Sequence, residues 1–239
     1  MNYYAHGWQF VDDPYFLAGT AVPDWLNVVD RKVRARSVAA RNWQEDPDPR
    51  LAAVARGVLR HHEDDGWFHQ TRVFQELTWH FTLALRDQLA DNEGFRPGFV
   101  GHILVELLLD AELIADQPAG LDAYYAAVEN LDLAAIQEAV ERITSRPVPR
   151  LGEWIQRFCR ERFLYDYVED AKLLARLNGV MRRVGLPQLP ASLADWFPVA
   201  RRSVALHRHP LLARPAPGPG RQVADDPSGP AVPPGNSAT

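Results

Sequence analysis

Cysteine is almost missing from this 239-residue chain, Cys159 being the only one. That excludes an intramolecular disulfide and any CxxC or zinc-finger arrangement, and leaves a packed thiol on a helical stretch as the expectation. Lysine is scarce too, with Lys32 and Lys172 alone, so arginine carries the remaining basic charge. An excess of positive charge is lacking: 26 Lys and Arg against 31 Asp and Glu leave a formal net charge of -5. Without a broad basic footprint, DNA or RNA is not expected as a partner. No apolar run is long enough to span a bilayer, and the opening Met1-Asn2-Tyr3-Tyr4-Ala5-His6 has no basic region followed by an apolar one. A cytoplasmic location is therefore expected. Strand-like alternation, internal repeats, a GxGxxG and a P-loop are all missing, which argues against a sheet-based nucleotide fold.

What the sequence does contain is apolar residues at helical spacing, 46% of the chain being hydrophobic. The expected fold is all-α, a single helical bundle over residues 1–208 followed by a disordered Pro/Gly-rich tail over 209–239. Asp12-Asp13-Pro14 starts a helix, and Pro23 is expected to break or kink it, so that Asp24 opens a fresh turn and acts as a cap or as a functional carboxylate. Glu45-Asp46-Pro47-Asp48-Pro49 is a turn-rich surface connection. Helices follow from Leu51, from Thr71 to about Ala90, from Phe99 to Ile114, and at Leu121 to Glu129, Leu133 to Thr144, Leu151 to Tyr167 and Val168 to Val184. A last helix ends near His207, which with His209 borders the tail.

Two ladders of chemistry-bearing residues stand out. On the helix from Leu51, His61, Asp65 and His69 recur at i, i+4, i+8 and share one face if Gly66 does not end the helix. On the apolar helix from Phe99, His102, Glu106 and Asp110 repeat that spacing. The second stripe either lines a metal site or is a narrow polar face meeting solvent. Because an uncompensated buried carboxylate costs several kcal/mol, two facing stripes of imidazole and carboxylate favour a bound cation.

These residues resemble the acyl carrier protein phosphodiesterase family, a helical group with an HD-domain-like metal-binding fold. The resemblance runs through Met1 to His6, Leu17-Ala18-Gly19-Thr20-Ala21-Val22-Pro23-Asp24-Trp25, Gly57 to Asp65, the Glu106/Asp110 pair and Gly179-Val180-Met181-Arg182-Arg183. It implies an HD-like bundle, a divalent metal ion (manganese in the family), and release of 4'-phosphopantetheine from holo-acyl carrier protein. It also implies metal ligands at His6, Asp24, His61, Asp65 and Glu106, to which His102 adds an imidazole peculiar to this chain. Phe68-His69 stands where the family has Thr-Asp, and Thr20 where it has Asn. The resulting His-rich set points towards zinc or iron as alternatives to manganese.

The function expected from this combination is metal-dependent hydrolysis of a phosphodiester. Asp24 or Asp65 would accept a proton from water, and His69 or His62 would protonate the leaving oxygen. An acyl carrier protein is a possible partner, docked by arginines such as Arg201, Arg202 and Arg208. Two other readings stay open. The segment Leu17 to Asp24 with the His-rich helices faintly resembles zinc-dependent phospholipase C, whose processed N-terminus is a metal ligand. Alternatively the stripes are solvated faces of a non-catalytic helical binding or scaffold protein.

Overall fold

Short capping signals place most of the helices. In the computed structural model, which describes residues 1–89 and 94–214, Asp13 accepts from Phe16 N ahead of Pro14, and Asp48 accepts from Arg50 N ahead of Pro49. Thr71 does the same for Phe74 N, and Asp132 for Ala134 N and Ala135 N. Each side chain satisfies donors that the first turn would otherwise leave orphaned. The helices are α1 (Tyr3–Gly7), α2 (Pro14–Val29), α3 (Ser37–Arg41), α4 (Pro49–Phe68), α5 (Arg72–Gln88), α6 (Pro97–Asp116), α7 (Pro118–Glu129), α8 (Leu133–Thr144), α9 (Leu151–Glu161), α10 (Asp170–Arg183) and α11 (Phe197–Leu212). Two 3-10 segments, Phe163–Val168 and Ala191–Trp196, complete the order, and no strand occurs among the described residues. The fold is all-α.

Two helix pairs form the frame. α2 packs along α4, and α5 packs along α6, with α1 lying against α2 and α6. α6 runs through the core: Leu104, Val105, Leu108 and Leu109 are inaccessible to solvent. The α2–α4 contact is unusually close. A Cβ added at Gly19 would come within 2.3 Å of Val54 O, and one at Gly57 within 2.1 Å of Phe16 O. Only glycines let these backbones touch, and the touch sets the α4 histidine against the α2 backbone.

Several boundaries differ from the sequence reading. Pro23 lies inside α2, which continues unbroken to Val29. Packing along α4 holds the helix despite the hydrogen bond that proline removes. Asp24 is therefore a mid-helix residue and not a cap. Gly66 does not interrupt α4 either, and it faces open space. The expected helix Leu151 to Tyr167 stops at Glu161, because Arg162 adopts a left-handed conformation (φ 44). Its guanidinium there pairs with Glu129 at 3.0 Å and lies over the Tyr125 ring. The last helix passes the expected limit near His207 and includes His209 and Pro210 before ending at Leu212. Most of the expected tail, residues 215–239, lies outside the described residues. No helix among the described residues is long and apolar enough to cross a membrane. Cys159 is buried, and burial pushes its thiol up to about 12, as suits a packing residue.

Candidate metal centre

α1, α4 and α6 bring the imidazoles and carboxylates together. The α1 helix is too short to hold its own position; Asp110 of α6 holds it. Fully buried, Asp110 accepts from Tyr4 N (3.0 Å), Ala5 N (2.7 Å) and Asn2 Nδ2 (2.9 Å). These bonds cap the start of α1 from another helix and fix where Met1 and His6 fall. Burial nevertheless raises the Asp110 carboxyl to about 7, against the pull of those donors. The expected polar stripe on α6 thus divides its labour: Asp110 anchors α1, while Glu106 and His102 face the site.

The ladder on α4 divides as well. His6, His61 and Asp65 form one triad whose potential ligand atoms lie within 4.8 Å of one another, and His69, His102 and Glu106 form a second. In the first, the His6 and His61 rings stack at 4.2 Å, and Asp65 Oδ1 lies 3.3 Å from His6 Nε2. Asp65 Oδ2 is 3.4 Å from His61 Nε2. In the second, Glu106 Oε1 is 2.8 Å from His69 Nε2 and 3.3 Å from His102 Nε2. His69 immediately follows α4 with helical backbone angles, yet its ring turns from the His61/Asp65 pair towards α6.

The Met1 amine joins the triads. It donates to Asp65 Oδ1 at 2.7 Å and lies 3.2 Å from Glu106 Oε1. Burial opposes its charge, but the two carboxylates outweigh burial and raise the amine to about 11. The same contacts act on the carboxylates. Against the cost of burial, the amine and His61 hold Asp65 well below its usual range, and the amine with His102 and His69 does so for Glu106. A positive charge thus sits between the two carboxylates, where a metal cation would find the same field.

The supporting contacts orient the donors. His61 Nδ1 donates to Thr20 O at 2.8 Å, which turns Nε2 towards Asp65. Thr20 takes that position because of the glycine contact one residue earlier in α2. His6 is supported by Asp64, which sequence reasoning missed. Buried Asp64 accepts both contacts of Arg60 Nε at 2.8 Å and one from Trp67 Nε1 at 3.1 Å, and its Oδ2 is 3.6 Å from His6 Nδ1. Burial opposes its charge, but His6 and Arg60 hold its pKa below the usual value. The signal in the sequence was Arg60 and Asp64 at i, i+4, which reads as an ordinary surface pair. His6 itself is 1% exposed, and neither ring nitrogen has an aligned hydrogen bond. A buried imidazole with carboxylate oxygens 3.6 and 3.3 Å from its two nitrogens, neither aligned as a hydrogen bond, is a donor arrangement that a divalent cation fits.

Of the residues expected to share one site, His6, His61 and Asp65 come together, while His102 and Glu106 belong to the second triad with His69. Asp24 belongs to neither triad. It is half-buried on α2, near enough for His61, His6 and Asp65 to act on its titration, and burial raises its pKa. His62 turns away from the site: its Nε2 donates to Ala35 O at 2.7 Å, so it does not face a leaving group.

No family model, curated protein or solved structure matches the chain.

The arginines expected to dock an acidic partner are partly committed. Arg201 pairs with Asp170 and Arg208 with Asp116, both at 2.7 Å. Their charge is largely neutralised within the fold, leaving Arg202 exposed. The geometry therefore defines two adjoining His/carboxylate groups able to hold metal, linked by an amine.

Proposed function

We propose that this protein is a metal-dependent hydrolase of phosphate esters, acting on a diester through two adjoining cation sites. The observation that carries this reading is the pair of triads, three donors each, whose carboxylates Asp65 and Glu106 share one cationic group. Four of the six donors are imidazole, a set that favours zinc or iron over manganese or magnesium. When bound, divalent cations would neutralise charge on phosphoryl oxygens and make water a stronger acid. His6, His61 and Asp65 hold one side, and His69, His102 and Glu106 hold the other. His61 is kept in its donor orientation by Thr20 O, and His6 is steadied by Asp64. Asp24, outside both triads but near enough for His61, His6 and Asp65 to act on it, would be the carboxylate that accepts a proton from water. His69 has a part-exposed ring and serves the second triad before any role as an acid. The test is hydrolysis of bis(4-nitrophenyl) phosphate after loading with zinc, iron or manganese. Turnover that needs metal and falls at least a hundredfold in Asp65→Ala supports the reading; metal-loaded protein without turnover on any phosphodiester ends it.

A second reading concerns the metal ligands alone: the Met1 amine lies between Asp65 and Glu106, where it could complete the donor set. In this version the amine, once its proton is displaced, would serve as a further ligand. Extending the chain by two residues before Met1 then lowers metal content and activity together. Unchanged activity in the extended protein removes the amine from the site.

A further inference from the structure

A groove of about 330 Å³ opens beside the second triad. The His69 and His102 imidazoles form one end, and α5 supplies Phe74, Thr78 and Trp79 along its wall. Trp79 is 58% exposed, one of the few large apolar side chains left in solvent. Thr78 Oγ1 is buried with no hydrogen-bond partner, whereas Thr82, one turn later, bonds Thr78 O at 2.7 Å. The exposed Gln75 side chain also lines the groove; its Nε2 donates to His69 O at 3.4 Å, and its Oε1 is an acceptor there. Arg86 sets its guanidinium 5.9 Å from the Trp79 ring centroid.

We propose that this groove holds the nucleoside part of a small nucleotide ester whose phosphate lies at the triads, an inference that rests on the phosphoester reading. Each wall residue selects against an alternative. An exposed indole face stacks on a planar base. The Gln75 amide oxygen offers a hydrogen bond that a base or ribose returns and that an acyl chain does not. A quaternary ammonium head group would seek the Trp79 face, but Arg86 already brings positive charge there and repels it. A long polynucleotide is disfavoured by the net charge of -5 and the lack of a basic track, so the ligand is a mono- or dinucleotide.

The experiment compares metal-loaded protein on two diesters, adenylyl-3',5'-adenosine with bases and glycerophosphocholine without. The dinucleotide is expected to have the higher kcat/KM by at least tenfold. Trp79→Ala should shrink that preference at least tenfold, chiefly through KM, and Trp79→Phe, which keeps a stacking face, should restore most of it. Metal content and thermal melting of both variants report whether the fold and triads are intact. Equal turnover of the two diesters, or a preference untouched in Trp79→Ala, overturns the proposal. So does faster hydrolysis of phosphatidylcholine vesicles that depends on Trp79, which would give the groove to a lipid. If no diester is hydrolysed, the phosphoester reading fails by itself, and calorimetric titration with adenosine decides the groove. Binding that is lost in Trp79→Ala sustains the nucleoside site, and no binding removes it.

Discussion

At the scale of single residues the site is held by charge that its neighbours make tolerable. Asp64 is the sharpest case, because it touches no proposed substrate and acts through His6. Asp64→Asn should keep the fold but lower metal affinity roughly 10- to 100-fold, the usual cost of losing an outer carboxylate behind a ligating histidine. Competition with a chromogenic chelator measures it, and an unchanged affinity would reduce Asp64 to an Arg60 partner. Protonation gives a second expectation. In metal-free protein, interactions with Asp64 and Asp65 outweigh burial and raise His6 from 6.5 to about 9. The amine rises from 8.0 to about 11. Folded pKa values above unfolded ones mean that the native state keeps protons which the unfolded chain releases. Their stabilisation is complete below the ordinary values and drains away as pH climbs through the raised ones. Asp65 and Glu106, held low, contribute above their ordinary range and lose that contribution in acid. The metal-free protein is thus most stable in mildly acidic solution. Metal must displace these protons, so binding near about pH 7 should release protons and tighten as pH rises. Titration calorimetry in buffers of different ionisation enthalpy reads the release directly; metal uptake without it would place the metal away from His6 and Met1.

At the scale of elements, three helices have to be fixed against one another for the donors to meet. Gly19 and Gly57 let α2 touch α4, and that contact puts Thr20 O on His61. Gly57→Ala should destabilise the protein by about 1–3 kcal/mol, as over-packing does, and lower metal affinity with it. Denaturant titration and metal analysis of the same sample check both. Asp110→Ala should free α1, since Tyr4 N, Ala5 N and Asn2 lose their acceptor. Each buried donor left unmatched costs about 1–3 kcal/mol, and His6 should leave the first triad. Much of this architecture was legible in the sequence. The i, i+4 spacing of His61 with Asp65 and of His102 with Glu106 announced two facing stripes, and Asp13-Pro14 and Thr71 announced helix starts. What could not be read depends on tertiary contact. Pro23 stays helical because α4 supports α2. Arg162 ends α9 through a left-handed turn shared with Glu129 and Tyr125. His69 turns to α6, and Asp110 leaves the stripe to cap α1; no spacing rule encodes either of these partners.

At the scale of the whole molecule, an all-α frame of two helix pairs encloses a polar centre whose two His/carboxylate triads are able to hold a cation. The bundle buries its apolar residues around α2, α4 and α6, so the carboxylates on α4 and α6 meet where desolvation is costly. A cation that binds only the folded state relieves that cost and stabilises the fold by mass action, about 4 kcal/mol when metal is at a thousand times its Kd. For a chain of this size that corresponds to a rise of roughly 8–16 °C in melting temperature. The groove gives the same frame an open face beside the second triad. The measurement that tests this account most directly is metal content, by inductively coupled plasma mass spectrometry, on protein purified without a His-tag or chelator. The account predicts near-stoichiometric zinc or iron that falls in both His61→Ala and Glu106→Gln, one from each triad. Protein that carries no metal, and whose melting temperature does not move on adding zinc, iron or manganese, would contradict it.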